Sequence, residues 1–173
     1  MREVFAFASF SFCYFAGKNR YETERKMWSV PKGSQLTLAI VKPHVVKAPH
    51  ALQGVRQAIE ENGFKVLATR KVQLSEKEAS EFYSEHKGRF FYNRLVNFMI
   101  SGPIEVQVLA KEDAIKEWRR LLGPTKVFRA IFSEPDSLRG RFGLTDTRNA
   151  LHGSDSEESA AKEIKFFFPD AIV

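Results

Sequence analysis

His152 lies in the run Arg148-Asn149-Ala150-Leu151-His152-Gly153-Ser154-Asp155-Ser156. Imidazole is largely neutral at pH 7 and still nucleophilic, so it can accept a phosphoryl group from a donor and pass it to an acceptor. Asn149 and the Ser154-Asp155-Ser156 triplet supply hydrogen-bonding groups on either side. Gly153 lacks a Cβ and so permits close backbone approach. Two readings fit this run: a nucleophile, or a turn histidine whose neighbours end a strand and cap the next helix. Three cations stand at positions that can serve an anion. Lys42 ends an apolar run, Arg119 lies about 100° round its helix from the core residue Trp118, and Arg139 precedes Gly140. An arginine fork matches phosphate oxygens. The alternative is an ordinary solvated face, because the chain has 27 Lys and Arg.

The whole chain bounds these readings. Its 173 residues suffice for one domain with a sizeable core and are too few for two ordinary ones. A hydrophobic content of 43% with 28% charged residues excludes a wholly disordered or collagen-like chain. The net charge of +6 favours anionic partners: nucleotide phosphates, nucleic acid or an acidic membrane surface. Cys13 is the only cysteine, which excludes an intramolecular disulfide and a cysteine-built zinc site. Residues 1–34 read as a leader. Its Phe-rich stretch from Val4 to Gly17 is too short to span a bilayer, while Glu3, Glu22 and Glu24 argue against a secretory or mitochondrial presequence. Targeting and no function both remain open for it, and Met27 offers a second start.

The remaining sequence predicts the elements that would hold the chemistry. Leu36 to Val41 is a buried strand stopped at Lys42-Pro43. Leu52, Val55 and Ile59 recur at helical spacing before Asn62-Gly63. Phe64 to Leu74 is a second strand, and Ser75 with Glu78 forms a capping box that opens a helix carrying Ala79, Phe82 and His86. A helix follows over Phe91 to Met99, then a strand alternating over Ile104 to Leu109, then a helix on Ile115, Trp118 and Leu122. A long loop containing Pro135 and Gly140 leads to a short strand over Asn149 to His152. Ile164, Phe167 and Phe168 line the last helix. The order is strand, helix, strand, strand, helix, strand.

Several ordered motifs together resemble the nucleoside diphosphate kinase family over residues 36–168. These are Leu38 to Pro43, Ser101-Gly102-Pro103 and Asn149 to Ser156. Arg89 to Tyr92, Gly123 to Ala130 and Phe142 to Arg148 resemble its divergent second group. The resemblance implies an α+β, ferredoxin-like βαββαβ domain over 35–173, with an antiparallel four-stranded sheet and helices on one face. It also implies transfer of the γ-phosphoryl of a nucleoside triphosphate to a nucleoside diphosphate through a phosphohistidine. By position in the matching motifs, His152 is the nucleophile and Glu163 holds its other ring nitrogen. Lys42, Arg119, Thr125 and Arg139 bind phosphate, Tyr83 lies near the transferred group, and Asn149 meets the ribose. Phe91 stacks on the base beside Leu95, using a face every base possesses. Ser154 either bonds Glu163 or caps the following helix. Asp155 either orients a water of Mg²⁺ or caps that helix. The metal, Mg²⁺, is held mainly by the nucleotide's own phosphates.

The implied partners are nucleoside tri- and diphosphates, such as ATP, GTP and deoxynucleoside diphosphates, with neither nucleic acid nor membrane required. The resemblance points to mitochondria, and the cytoplasm fits the composition equally. His44 stands where the family usually has an acid after Lys-Pro, which predicts weakened activity. The segment between Thr125 and Arg139 is longer than in the family's first group, and the chain ends at Val173 soon after Pro169. A monomer, a dimer or a complex with another protein is therefore expected in place of a hexamer. The competing function is a nucleotide-binding scaffold of the same fold with little or no turnover.

Overall fold

Strand β1, Gln35–Val41, turns Leu38 and Ile40 to one side of the sheet and Ala39 and Val41 to the other, and all four are fully buried. Both faces of the sheet must therefore be covered. The computed structural model describes residues 28–171. Its four strands are β1, β2 (Lys65–Val72), β3 (Ile104–Lys111) and β4 (Leu151–Gly153). They form one sheet in the order β2-β3-β1-β4 with every neighbouring pair antiparallel. This is the predicted ferredoxin-like α+β architecture, with one correction: helices cover both faces. On one face lie α1 (Pro43–Val46), α2 (Pro49–Glu61) and α5 (Ala114–Leu122), with Val55, Ile59, Trp118 and Leu122 in the core. On the other lie α3 (Glu76–Phe82), α4 (Tyr92–Met99) and α8 (Glu157–Phe167), with Leu95, Met99, Ile164 and Phe167 in the core.

Double coverage also explains β3. The predicted alternation is absent from its burial, because Ile104 to Ala110 are all buried. Glu105 and Gln107 are the polar residues this encloses. Arg56 pairs with Glu105 through two bonds of 3.2 and 2.6 Å, and the Gln107 amide donates to Glu105 at 2.8 Å. A buried charge without such partners would be very costly.

Several local signals perform as predicted. The capping box is complete: Ser75 Oγ accepts from the Glu78 N–H, and Glu78 accepts from the Ser75 N–H. That helix ends at Phe82, however, so His86 falls in a separate 3₁₀ turn over Ser84–His86. Helix α2 stops at Asn62. Strand β4 starts at Leu151, so Asn149 lies just before it, and α8 ends at Phe167, leaving Phe168 as its cap, edge-on to Trp28.

The larger correction concerns the predicted long loop. It contains two short helices, α6 (Val127–Ser133) and α7 (Leu138–Phe142). Pro135 falls between them, and Gly140 lies inside α7 at a position that must be glycine, since a Cβ there would lie 2.6 Å from the Glu134 carbonyl oxygen. Each helix is about two turns or fewer, too short to display a hydrophobic period, so breaker residues dominate the sequence signal. Arg139 consequently projects from a helix and not from a loop. The leader residues 1–27 lie outside the described residues. Among the described residues no helix is long and apolar enough to cross a membrane.

Candidate active site

Antiparallel pairing of β4 with β1 sets His152 opposite Ile40 and Gly153 opposite Ala39. Opposed residues share a face, so His152 points toward α3 and α8 while Gly153 turns toward α5. The Trp118 ring fills the space beside Gly153: a Cβ there would lie 2.5 Å from the indole. Trp118 Nε1–H also donates to the His152 carbonyl at 3.2 Å. The glycine after the histidine therefore serves the close approach its type suggested. Gly153→Ala should destabilise the fold by about 1–3 kcal/mol, the usual scale of overpacking, read as a lower urea midpoint. An unchanged midpoint would mean that this contact is not tight.

His152 is fixed from behind. Its Nε2 lies 3.0 Å from Glu163 Oε1, and the second carboxylate oxygen accepts from Ser154 Oγ–H at 2.6 Å. Ser154 is itself fully buried and accepts from the Leu38 N–H at 3.1 Å. A backbone amide of the central strand thus orients a serine, which orients a glutamate, which orients the imidazole. Because Nε2 faces a carboxylate, it carries the proton and Nδ1 holds the lone pair. Phe82 packs edge-on against the ring at 5.5 Å between centroids. Sequence reasoning missed that contact, since Phe82 at helical spacing reads only as core. Of the two readings of Ser154, the bond to Glu163 is present, and the cap of α8 is Ser156, which accepts from the Ser159 N–H at 3.1 Å. Asp155 is therefore not the cap. It is exposed, and a hydrogen bond from Ser159 leads the causes that hold its carboxyl below the usual range, with Arg119 and His152 contributing charge.

A cluster of cations lies next to this histidine. Lys42 is buried, its Nζ donating to Asn149 Oδ1 at 2.7 Å and to the Thr147 carbonyl at 3.4 Å. Thr147 was not singled out in the sequence; a backbone acceptor leaves no trace in residue type. Arg139 is also buried. It donates to the Gly123 carbonyl at 2.8 Å, the Thr125 hydroxyl at 3.4 Å and the carbonyl of Leu151, next to His152, at 3.3 Å. Asn149 Nδ2 donates to the Thr125 carbonyl at 3.4 Å. Ala150, held at φ 67°, makes the bend between Asn149 and β4, a left-handed conformation that costs a residue with a Cβ roughly 1 kcal/mol. Its carbonyl receives the Lys42 N–H at 3.0 Å, which ties the bend to the end of β1.

Burial and then the Arg139 charge lower the Lys42 ammonium to about 7, while burial and then Arg119 lower Arg139 to about 10. Cations crowded and desolvated in this way are stabilised by an incoming anion. The sign is definite: an anion raises the Lys42 value, so binding at a pH above 7 takes up a proton, and binding well below 7 does not. Calorimetric titration of a nucleoside diphosphate at pH 8 in buffers of different ionisation enthalpy should show net uptake approaching one proton. Lys42→Met should remove it. Uptake that persists in that variant would assign the proton to another group.

Tyr83 is buried, and its hydroxyl has no hydrogen-bond partner among the described residues. Burial, with the Glu163 charge second, pushes the phenol well above its ordinary value, so it stays neutral. Leu95 is buried in the core, whereas Phe91, at the start of α4, keeps part of its ring exposed and meets His86 and Phe90 edge-on. Arg119 and Thr125 are exposed at the rim. His44 has its Nε2 3.1 Å from the Phe142 carbonyl, joining α1 to the end of α7. Among the described residues no three His, Cys, Asp or Glu side chains converge on a metal position. With the Glu163 carboxylate engaged by His152 and Ser154, Asp155, whose carboxyl feels the charges of Arg119 and His152, is suited at most to holding a metal through water. A separate cavity of about 440 Å³ beside Arg56, Glu105 and Gln107 is lined by none of these residues.

Comparison with known proteins bears on this arrangement. The sequence pattern of the nucleoside diphosphate kinase family matches residues 35–173. Nucleoside diphosphate kinase 6 of Mus musculus is 55% identical over 140 residues, covering 81% of this chain and 74% of that protein. Nucleoside diphosphate kinase homolog 5 of Homo sapiens is 42% identical over 137 residues, covering 79% of this chain and 63% of that protein. The crystal structure of the Aquifex aeolicus nucleoside diphosphate kinase superposes with a TM-score of 0.75 at 41% identity, covering 78% of this chain and 95% of that one.

Proposed function

The chain belongs to the nucleoside diphosphate kinase family, and from that premise we propose that it moves the γ-phosphoryl group of a nucleoside triphosphate to a nucleoside diphosphate by way of His152. The observation that carries the proposal is the Ser154–Glu163–His152 chain, which leaves Nδ1 as the free nucleophilic nitrogen beside a cluster of buried cations. In the first half-reaction the Nδ1 lone pair forms a bond to the γ-phosphorus. The bond from that phosphorus to the bridging oxygen breaks, and its electron pair leaves on the β-phosphate of the departing diphosphate. In the second, a terminal oxygen of another nucleoside diphosphate attacks the same phosphorus, and the N–P pair returns to Nδ1. The imidazole becomes cationic as it is phosphorylated, and Glu163 stabilises that charge through Nε2.

Phosphoryl transfer asks a protein mainly for alignment and charge neutralisation. Lys42 and Arg139, rigid and partly desolvated, suit the phosphate oxygens, with Arg119 and Thr125 at the rim. Asn149, held by both Lys42 and Thr125, suits a ribose hydroxyl. Mg²⁺ would arrive on the nucleotide and supply further charge neutralisation, with Asp155 the residue suited to hold one of its waters. His44 is compatible with turnover, because its bond to Phe142 supports the helix that carries Arg139. The direct test is incubation of the purified full chain with γ-labelled ATP and Mg²⁺. The expected product is a base-stable, acid-labile phosphoprotein that GDP discharges with formation of labelled GTP. Absence of label on folded protein that binds nucleotide favours the scaffold reading.

A further inference from the structure

We propose that Arg94 reads the edge of the nucleobase and gives the site a preference for guanine, a step that rests on the nucleotide-binding reading and adds to it the choice of base. A cavity of about 460 Å³ opens between α4 and the turn before Asn149, walled by Arg94, Thr145, Asp146 and Thr147. A second, of about 320 Å³, shares Arg94, Thr145 and Thr147 with it and continues to Ser101, Phe98 and Arg148, whose guanidinium is occupied over the Phe98 ring at 5.7 Å, so the two form one groove. Its inner end joins the cation cluster, because the Thr147 carbonyl accepts from Lys42. Its other wall belongs to the helix that starts beside Phe91. Arg94 stands three residues after Phe91, and residues so spaced lie on one helical face. A nucleotide with its phosphates at Lys42 and its ribose at Asn149 would therefore extend its base between α4 and the 145–147 turn.

The two walls offer different chemistry. Asp146 Oδ1 accepts from the Val127 N–H at 3.1 Å, which fixes the turn to the start of α6. Arg94 is exposed and makes no ion pair among the described residues, so its fork of donors is free to meet a ligand. Guanine carries two adjacent acceptors, O6 and N7, that match such a fork. On the same edge adenine sets an amino donor beside its N7 acceptor, cytosine presents an amino donor, and uracil and thymine present a single acceptor, O4. The expected order of affinity is GDP, then UDP and ADP, each with one acceptor, then CDP. In an exposed groove the advantage of GDP over ADP should be about tenfold, toward the lower end of what bidentate base recognition gives.

Calorimetric dissociation constants for GDP and ADP, measured on the full chain with Mg²⁺ present, test this without requiring turnover. The wild type should bind GDP about tenfold more tightly than ADP; Arg94→Ala should bring the two together by weakening GDP alone; Arg94→Lys, with a point charge and no fork, should fall between. Equal binding by the wild type, a preference that survives Arg94→Ala, or parallel loss of both ligands overturns the assignment. Preference for GDP in a protein that ATP never labels overturns the kinase reading and leaves this one standing. Failure to bind either nucleotide overturns both.

Discussion

Protein carrying His152→Ala, incubated with γ-labelled ATP, should incorporate no label, and its turnover should fall to the floor of the assay. Removal of a covalent nucleophile elsewhere costs about 10⁶-fold in turnover, and nothing else in this site can substitute. Tyr83 is buried and held neutral, Ser154 is committed to Glu163 and Leu38, and His44 is engaged with Phe142. The variant should remain folded. His152 sits on a short edge strand and is partly exposed, and its loss leaves one oxygen of a half-buried glutamate without its partner, a cost of about 1–2 kcal/mol. Retained nucleotide binding would show that the cation cluster is intact. Full labelling of His152→Ala would move the chemistry to another residue and sink the proposed mechanism.

Arg139→Ala should produce the other large effect, and on two quantities together. One group that neutralises phosphate charge is typically worth about 100-fold in rate, so kcat should fall by about that factor. Stability should fall as well, for a separate reason. The guanidinium bonds the carbonyls of Gly123 and Leu151 and the hydroxyl of Thr125, linking α7 to the end of α5 and to β4. Leaving buried carbonyls unpaired costs about 1–3 kcal/mol. Relief of cation crowding works against that loss, since burial and Arg119 both penalise the charged form. Lost bonds should win because several are broken at once. Arg139→Lys should recover part of the rate and little of the stability, because an ammonium cannot span three acceptors in one plane. A variant as stable and as active as the wild type would show that α7 is held by its apolar packing alone.

The site divides into residues whose types announce them and residues known only by position. Asn149, His152 and Gly153 lie within one short run, and Ser75 with Glu78 writes its capping box in sequence. Strand positions were legible where β-branched runs meet Pro or Gly. Arg94 and Phe82 were not, since an exposed arginine and a helical phenylalanine look the same wherever they occur. Helices α6 and α7 were hidden because about two turns fall below the length at which a period of 3.6 can be distinguished from chance.

Residue chemistry could thus be read from the chain alone: an imidazole among hydrogen-bonding groups, cations in excess, and a strand and helix order that admits few folds. Direction could not. That Nε2 meets Glu163, leaving Nδ1 free, follows from β4 pairing with β1 so that His152 faces α8. That Lys42 and Arg139 lose much of their hold on a proton follows from packing that removes water and brings like charges together. Both depend on long-range contacts, the pairing of β4 with β1 and the bond from Lys42 to Asn149, 107 residues further along the chain, and such contacts exist only once the sheet has formed.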